Sequence, residues 1–211
     1  MSQEIPFYEQ PLVIRRQRLK NKNFSIIAQN CAAGHIYHQL GLKFLSPTIN
    51  LYFYPEDFIE LIKHLPYYMG NCPLVEDKQA PENFPVGILG NENHHIRLYF
   101  NHYPTFEKAK EKWESRRQRI NFNNLYVIGG DSWAQPYNRA QMEEFDRLPI
   151  KNKVIFTGAE WPGIKSAYKI ENCNINGHLG YWWNKMDSVR GGRLFEQFDY
   201  INFLNDIGYK N

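Results

Sequence analysis

A thiol with an imidazole one helical turn away is the most reactive pairing in this sequence. Cys31 stands in the run Ala28-Gln29-Asn30-Cys31-Ala32-Ala33-Gly34-His35. With Asn30 as N-cap, Cys31 takes the first helical position, where the positive end of the helix dipole is expected to lower its pKa. His35, four residues on, falls on the same face and can share a proton with that thiol. Such a pair suits acyl transfer, with the Ala32 and Ala33 N–H groups stabilising an oxyanion. Gly34 is small enough for a ligand to approach the backbone, and His38, Gln39 and Ser46 are further candidates for binding it. The plainer reading makes Cys31 a small buried hydrophobe.

Other polar residues follow apolar runs. His102, after Ile96 to Phe100, is a second candidate for the general base. Asp131, in Gly129-Gly130-Asp131-Ser132, would orient that base or bind a sugar hydroxyl; its structural alternative is a turn cap. Arg116 and Arg117 are candidates for clamping a phosphate or carboxylate, although cations in a last helical turn also simply complement the dipole. Gly180 to Lys185 places Trp182 and Trp183 beside polar groups, a composition suited either to stacking on a sugar ring or to the core. His94, His95, His102, Cys31 and His35 show no CxxC or HxxxH spacing, so no metal site is expected. Neither GxGxxG nor a Gly-Lys-Ser/Thr loop is present.

The elements that must position these groups alternate. Phe24 to Ala28, Leu125 to Ile128 and Val154 to Phe156 are short apolar runs that read as buried strands. Ile49, Leu51 and Phe53 alternate with polar neighbours, which predicts a strand over 48–53. Val86 to Leu89 and Ile96 to Phe100 flank a polar tip and predict a hairpin. Helices are expected over 31–40 with Gly41 as cap, 55–65, 105–120, 138–147 and 193–204, and residues 71–85 read as loop. The pattern is α/β: three layers, helices on both faces of a mostly parallel sheet, with one antiparallel pair. Ligands of such sheets sit beyond the carboxyl ends of the strands, where Asn30 and Asp131 fall.

Composition sets the outer bounds. The 211 residues carry a net charge of +3, too small for a nucleic-acid partner, and 16% are aromatic. The length suits a single domain, residues 1–211, with 1–22 as an N-terminal extension and 171–211 as a C-terminal cap region. The odd set Cys31, Cys72 and Cys173 does not read as a disulfide framework. No apolar run follows the opening charges, and none approaches the ~18 residues of a membrane span, so a cytoplasmic location is expected. The basic cluster Arg15, Arg16, Arg18, Lys20 and Lys22 reads as the solvated face of a leading helix.

Several segments together resemble an uncharacterised bacterial family, domain of unknown function 1919. They are Phe24 to Gly34, Tyr37 to Leu42, Ser46-Pro47-Thr48, Pro85 to Gly90, His102-Tyr103, Trp113 to Asn121 and Phe145 to Pro149. The family's members are often labelled exopolysaccharide biosynthesis proteins and lie in capsule or surface-glycan gene clusters. Its pattern usually has Trp and a second Gly after the Asn-Cys pair, where this chain has Ala32 and Ala33. A more distant likeness is to capsule-associated acyltransferase-like proteins. The resemblance implies a cytoplasmic α/β protein of surface-glycan biosynthesis, in contact with glycan-assembly enzymes, and supplies no mechanism. The Cys31–His35 pair adds the expectation of an acyltransferase-like enzyme acting on a sugar or nucleotide-sugar precursor. Coenzyme A is the natural donor, with Arg116 or Arg117 near its phosphates. The alternative is a non-catalytic protein of that pathway that binds a glycan or a partner. A glycosyltransferase is disfavoured by the lack of an Asp-x-Asp motif.

Overall fold

The computed structural model describes residues 5–180 and 192–207. After a 3-10 turn (Phe7–Glu9), the chain forms α1 (Leu12–Arg18), β1 (Ser25–Ala28), α2 (Ala32–Leu40), α3 (Pro55–Lys63) and α4 (Leu65–Met69). There follow β2 (Leu74–Glu76), β3 (Val86–Gly90), β4 (His95–Tyr99), α5 (Phe106–Arg117), β5 (Leu125–Gly130) and α6 (Arg139–Arg147). The last part holds β6 (Asn152–Thr157), β7 (Ala167–Lys169), β8 (Asn174–Ile175), β9 (His178–Leu179), a 3-10 turn (Leu194–Gln197) and α7 (Tyr200–Leu204).

A parallel sheet in the order β1-β5-β6-β7 forms the middle layer. Its strands are apolar throughout because both faces are covered. Ile26, Ala28, Tyr126, Ile128, Val154 and Phe156 point into a core shared with α2 and α7. Ile27, Val127 and Ile155 point the other way, against α3, α4, α5 and α6. The antiparallel sheet β2-β3-β4 joins that second core through Leu74, Leu89, Ile96 and Leu98. The outer edge of β1 is blunted by side chains. Tyr37 Oη accepts the Ile26 N–H at 3.3 Å and donates to Phe24 O at 2.9 Å, while Thr48 Oγ1 accepts the Ala28 N–H at 2.9 Å.

The α/β class, the hairpin β3-β4 and the helix cap at Gly41 agree with the sequence reading. Four local expectations do so only in part. Residues 48–53 bury Ile49, Leu51 and Phe53 as alternation requires, but only Tyr52 bridges, to Tyr99, because Pro47 and a left-handed Asn50 (φ 62°) bend the backbone. The supposed loop 71–85 contains β2. The helix expected over 55–65 is present as α3 but ends at Lys63, and the short α4, with Pro66 in its first turn, follows it. The helix expected over 193–204 breaks before Asp199, whose side chain caps α7 by accepting the Asn202 N–H.

The leading basic cluster is solvated at Arg16, Lys20 and Lys22, as expected, but not at Arg15. Arg15 is 3% exposed, while Leu12, Val13 and Ile14 around it are exposed. Its guanidinium donates to Glu196 Oε1 at 2.8 Å and to Tyr8 O at 3.1 Å, and lies 4.5 Å over the Phe7 ring. Glu196 Oε1 also accepts Gln39 Nε2, and Tyr200 Oη donates to Gln39 Oε1 at 2.7 Å. Arg18 pairs with Asp199. The N-terminal extension is thus fastened to the C-terminal residues through a buried ion pair. Glu196→Ala, which strands the Arg15 charge in the interior, is expected to lower urea-unfolding stability by about 3–5 kcal/mol. Arg15→Met combined with Glu196→Met should recover much of that loss; an equal loss in both variants would refute the buried-charge account.

Candidate functional site

The carboxyl ends of β1, β5 and β6 open on one edge of the parallel sheet, with neighbouring strands about 4.8 Å apart. Gln29 and Asn30 leave β1 there, Asp131 and Ser132 leave β5, and Gly158 follows β6. The buried Gln29 amide ties these ends together. Its Oε1 accepts the Gly130 N–H and the Tyr137 hydroxyl, each at 2.9 Å, and its Nε2 donates to Phe53 O at 3.3 Å.

Tyr137 in turn holds Asp131. Its N–H donates to Asp131 Oδ1 at 2.8 Å, and the same oxygen lies 2.8 Å from His178 Nδ1. The Asp131 side chain is 0% exposed and that of His178 is 25% exposed. Burial raises the Asp131 carboxyl, and the Tyr137 N–H and His178 pull it back down. When Asp131 is ionised, this contact requires a proton on His178 Nδ1, so Nε2 is the ring nitrogen that can accept one. Trp161 faces the same carboxylate, although its buried Nε1 and Asp131 Oδ2 complete no hydrogen bond. Trp161 also lines a pocket of about 400 Å³ past β6, together with Thr157, Tyr168, Lys169 and Gln197.

Local sequence explains how His178 arrives here. Asn176-Gly177 forms the turn between β8 and β9 with both residues at positive φ (52° and 92°), as a two-residue hairpin turn requires. The hairpin then packs against two strand ends. Leu179 N–H donates to Asp131 O at 2.8 Å, and Trp133 N–H donates to Leu179 O at 2.9 Å. Gly158 permits the contact, since a Cβ there would lie 2.2 Å from His178 O.

Cys31 occupies a different part of the edge. It is the N-cap of α2 rather than its first residue; Asn30, one place earlier, accepts the Ala32 N–H at 3.2 Å through Oδ1. Burial pushes the Cys31 thiol up to about 11, opposite to the expected fall, because desolvation of a thiolate outweighs the helix dipole here. The Cys31 thiol and the His35 imidazole share no side-chain hydrogen bond; only the His35 N–H reaches back, to Cys31 O. The His35 pKa is lowered by burial first and then by Arg193, His38 and His102, which lie within electrostatic reach of it. Tyr103 feels Cys31 and accepts a hydrogen bond from Arg116 Nη1 at 2.7 Å. Gly34 follows on the first turn of α2.

Other candidates are engaged elsewhere. Asp131 orients His178, not His35 or His102. Gln39 belongs to the Arg15–Glu196 cluster. Ser46 is buried, its Oγ 3.0 Å from Thr48 Oγ1 and accepting the Thr48 N–H. Arg117 donates to Gly70 O and pairs with Glu114, fastening α5 to the end of α4. His38 is exposed near the end of α2. Trp182 and Trp183 lie outside the described residues. Among the described residues, no group of three His, Cys, Asp or Glu side chains could hold a metal ion, and no helix is long and apolar enough to cross a membrane.

The profile of a protein family described as a domain of unknown function (DUF1919) matches residues 7–205. The chain belongs to this family. The DUF1919 match takes in the whole strand-end edge, from Gln29 to His178, and the Arg15–Glu196 cluster with it. An uncharacterized protein of Haemophilus influenzae is 32% identical over 190 residues, which cover 90% of this chain and 88% of that protein.

The state of the thiol is directly measurable. Alkylation of Cys31 by iodoacetamide, followed on its own peptide by mass spectrometry, should show a pH inflection well above the ~8.5 of a free cysteine. An inflection below that value would restore Cys31 as an activated nucleophile.

Proposed function

We propose that this protein is a cytoplasmic transferase of surface-glycan assembly whose general base is His178, oriented by Asp131. The acceptor is a sugar or nucleotide sugar and the donor an acyl thioester such as acyl-coenzyme A. The 2.8 Å contact between a fully buried carboxylate and a partly exposed imidazole carries this reading. Such an arrangement fixes the tautomer and stabilises the imidazolium that forms. In the reaction, His178 Nε2 takes the proton of an acceptor hydroxyl as its oxygen bonds to the thioester carbonyl. The C–S bond then breaks, and the proton passes to the leaving thiolate. Cys31 takes no part in these steps. The surface-glycan context rests on the resemblance noted above, and the aromatic and polar lining of the pocket past β6 suits a sugar.

A second reading, a non-catalytic glycan-binding protein, is favoured by Trp133, which is 55% exposed just after Asp131. The two readings separate in one assay. Release of coenzyme A thiol from acetyl-coenzyme A, in the presence of a panel of nucleotide sugars, should fall by about 10²–10⁴-fold in His178→Ala and comparably in Asp131→Asn. Full turnover in His178→Ala would eliminate the general-base role. Sugar binding without turnover, lost in Trp133→Ala, would establish the binding protein instead.

A further inference from the structure

The start of α2 carries hydrogen-bond donors that no group among the described residues uses. Asn30 is 6% exposed, and its Oδ1 accepts the Ala32 N–H at 3.2 Å, which fixes the amide against the first turn. Its Nδ2 therefore sits at the same place, buried and without a partner. An interior donor left unpaired costs about 1–3 kcal/mol. Capping does not account for that cost, because Asp or Ser would accept the same N–H without burying a spare donor. Helix bonding begins with the His35 N–H, which donates to Cys31 O at 3.2 Å, so the Ala33 and Gly34 N–H groups have no acceptor among the described residues.

The electrostatics have one sign. α2 is a nine-residue helix whose positive end lies at these donors, and no acidic residue occupies its first turn. The groups perturbing His35 beyond its burial are Arg193, His38 and His102, with no carboxylate among them. Arg116 is also close by, through Tyr103.

We propose that the N-terminus of α2 is an anion site for a phosphate or diphosphate group, bound by Asn30 Nδ2 and the Ala33 and Gly34 N–H groups, with His35 next along the helix. Only the ligand's place in the reaction, as the diphosphate arm of coenzyme A or of a nucleotide sugar, rests on the preceding reading. β1 neighbours β5 in the sheet, so this site and His178 belong to the same edge.

The test is a titration of ¹⁵N-labelled full-length protein with inorganic pyrophosphate. The Ala33 and Gly34 amide resonances should shift and saturate. Asn30→Asp keeps the capping oxygen but replaces the donor with negative charge, and should weaken binding by about tenfold or more. Parallel titrations with coenzyme A and UDP identify which diphosphate the site prefers. Pyrophosphate that leaves the α2 amides of the wild-type protein unmoved overturns the proposal, as does equal affinity in a folded Asn30→Asp protein. His178→Ala keeps the two ideas apart: it should lose turnover yet bind pyrophosphate as before, so failure of the base leaves the anion site standing, and the reverse.

Discussion

The arrangement of the strand-end edge depends on the buried carboxamide of Gln29. Its oxygen satisfies two interior donors, the Gly130 N–H and the Tyr137 hydroxyl, and its nitrogen satisfies Phe53 O. Main-chain bonding reinforces it, since Gln29 O accepts the Phe53 N–H at 2.9 Å. One side chain thereby fixes the exit of β1, the exit of β5, the approach to α6 and the approach to α3. A leucine of similar size would leave both donors unpaired, at about 1–3 kcal/mol each. Because the Tyr137 N–H holds Asp131 and Asp131 holds His178, the geometry of the candidate base is set two contacts away from the imidazole itself.

That chain of contacts explains which parts of the site were legible in the sequence. The buried strands, the hairpin and the capped helices announce themselves through local pattern, and the placement of Asn30 and Asp131 at strand ends follows from them. His178 does not, because it meets Asp131 across 47 residues by way of a hairpin that docks late in the chain. The local signal for it was the dipeptide Asn176-Gly177, a strong mark of a two-residue turn. Arg15 misleads for the opposite reason. A run of cations looks solvated until the partner that buries one of them, Glu196, is brought alongside.

Cys31 shows the limit of arguing from one local field. The helix dipole favours a thiolate at the N-cap, but the surroundings that bring the sulfur to that position also remove its water. The same burial has a different effect on Asn30, a neutral amide whose spare donor has nowhere to go within the protein. Two groups adjacent in sequence thus change places in importance: the thiol takes no part in the proposed steps and the amide becomes the candidate contact. The strand-end edge then has a base on the β5 side and a set of donors on the β1 side.

The pairing of Arg15 with Glu196 spans 181 positions. During synthesis Arg15 leaves the ribosome well before Glu196, so its charge has the Tyr8 and Gln10 carbonyls but no carboxylate partner until Glu196 emerges. Until then α1 lacks its anchor, and Gln39 and Tyr200 cannot complete their part of the same cluster. Closure of this cluster is therefore deferred until both of its halves are made, and α1, although made earlier, is locked in place late.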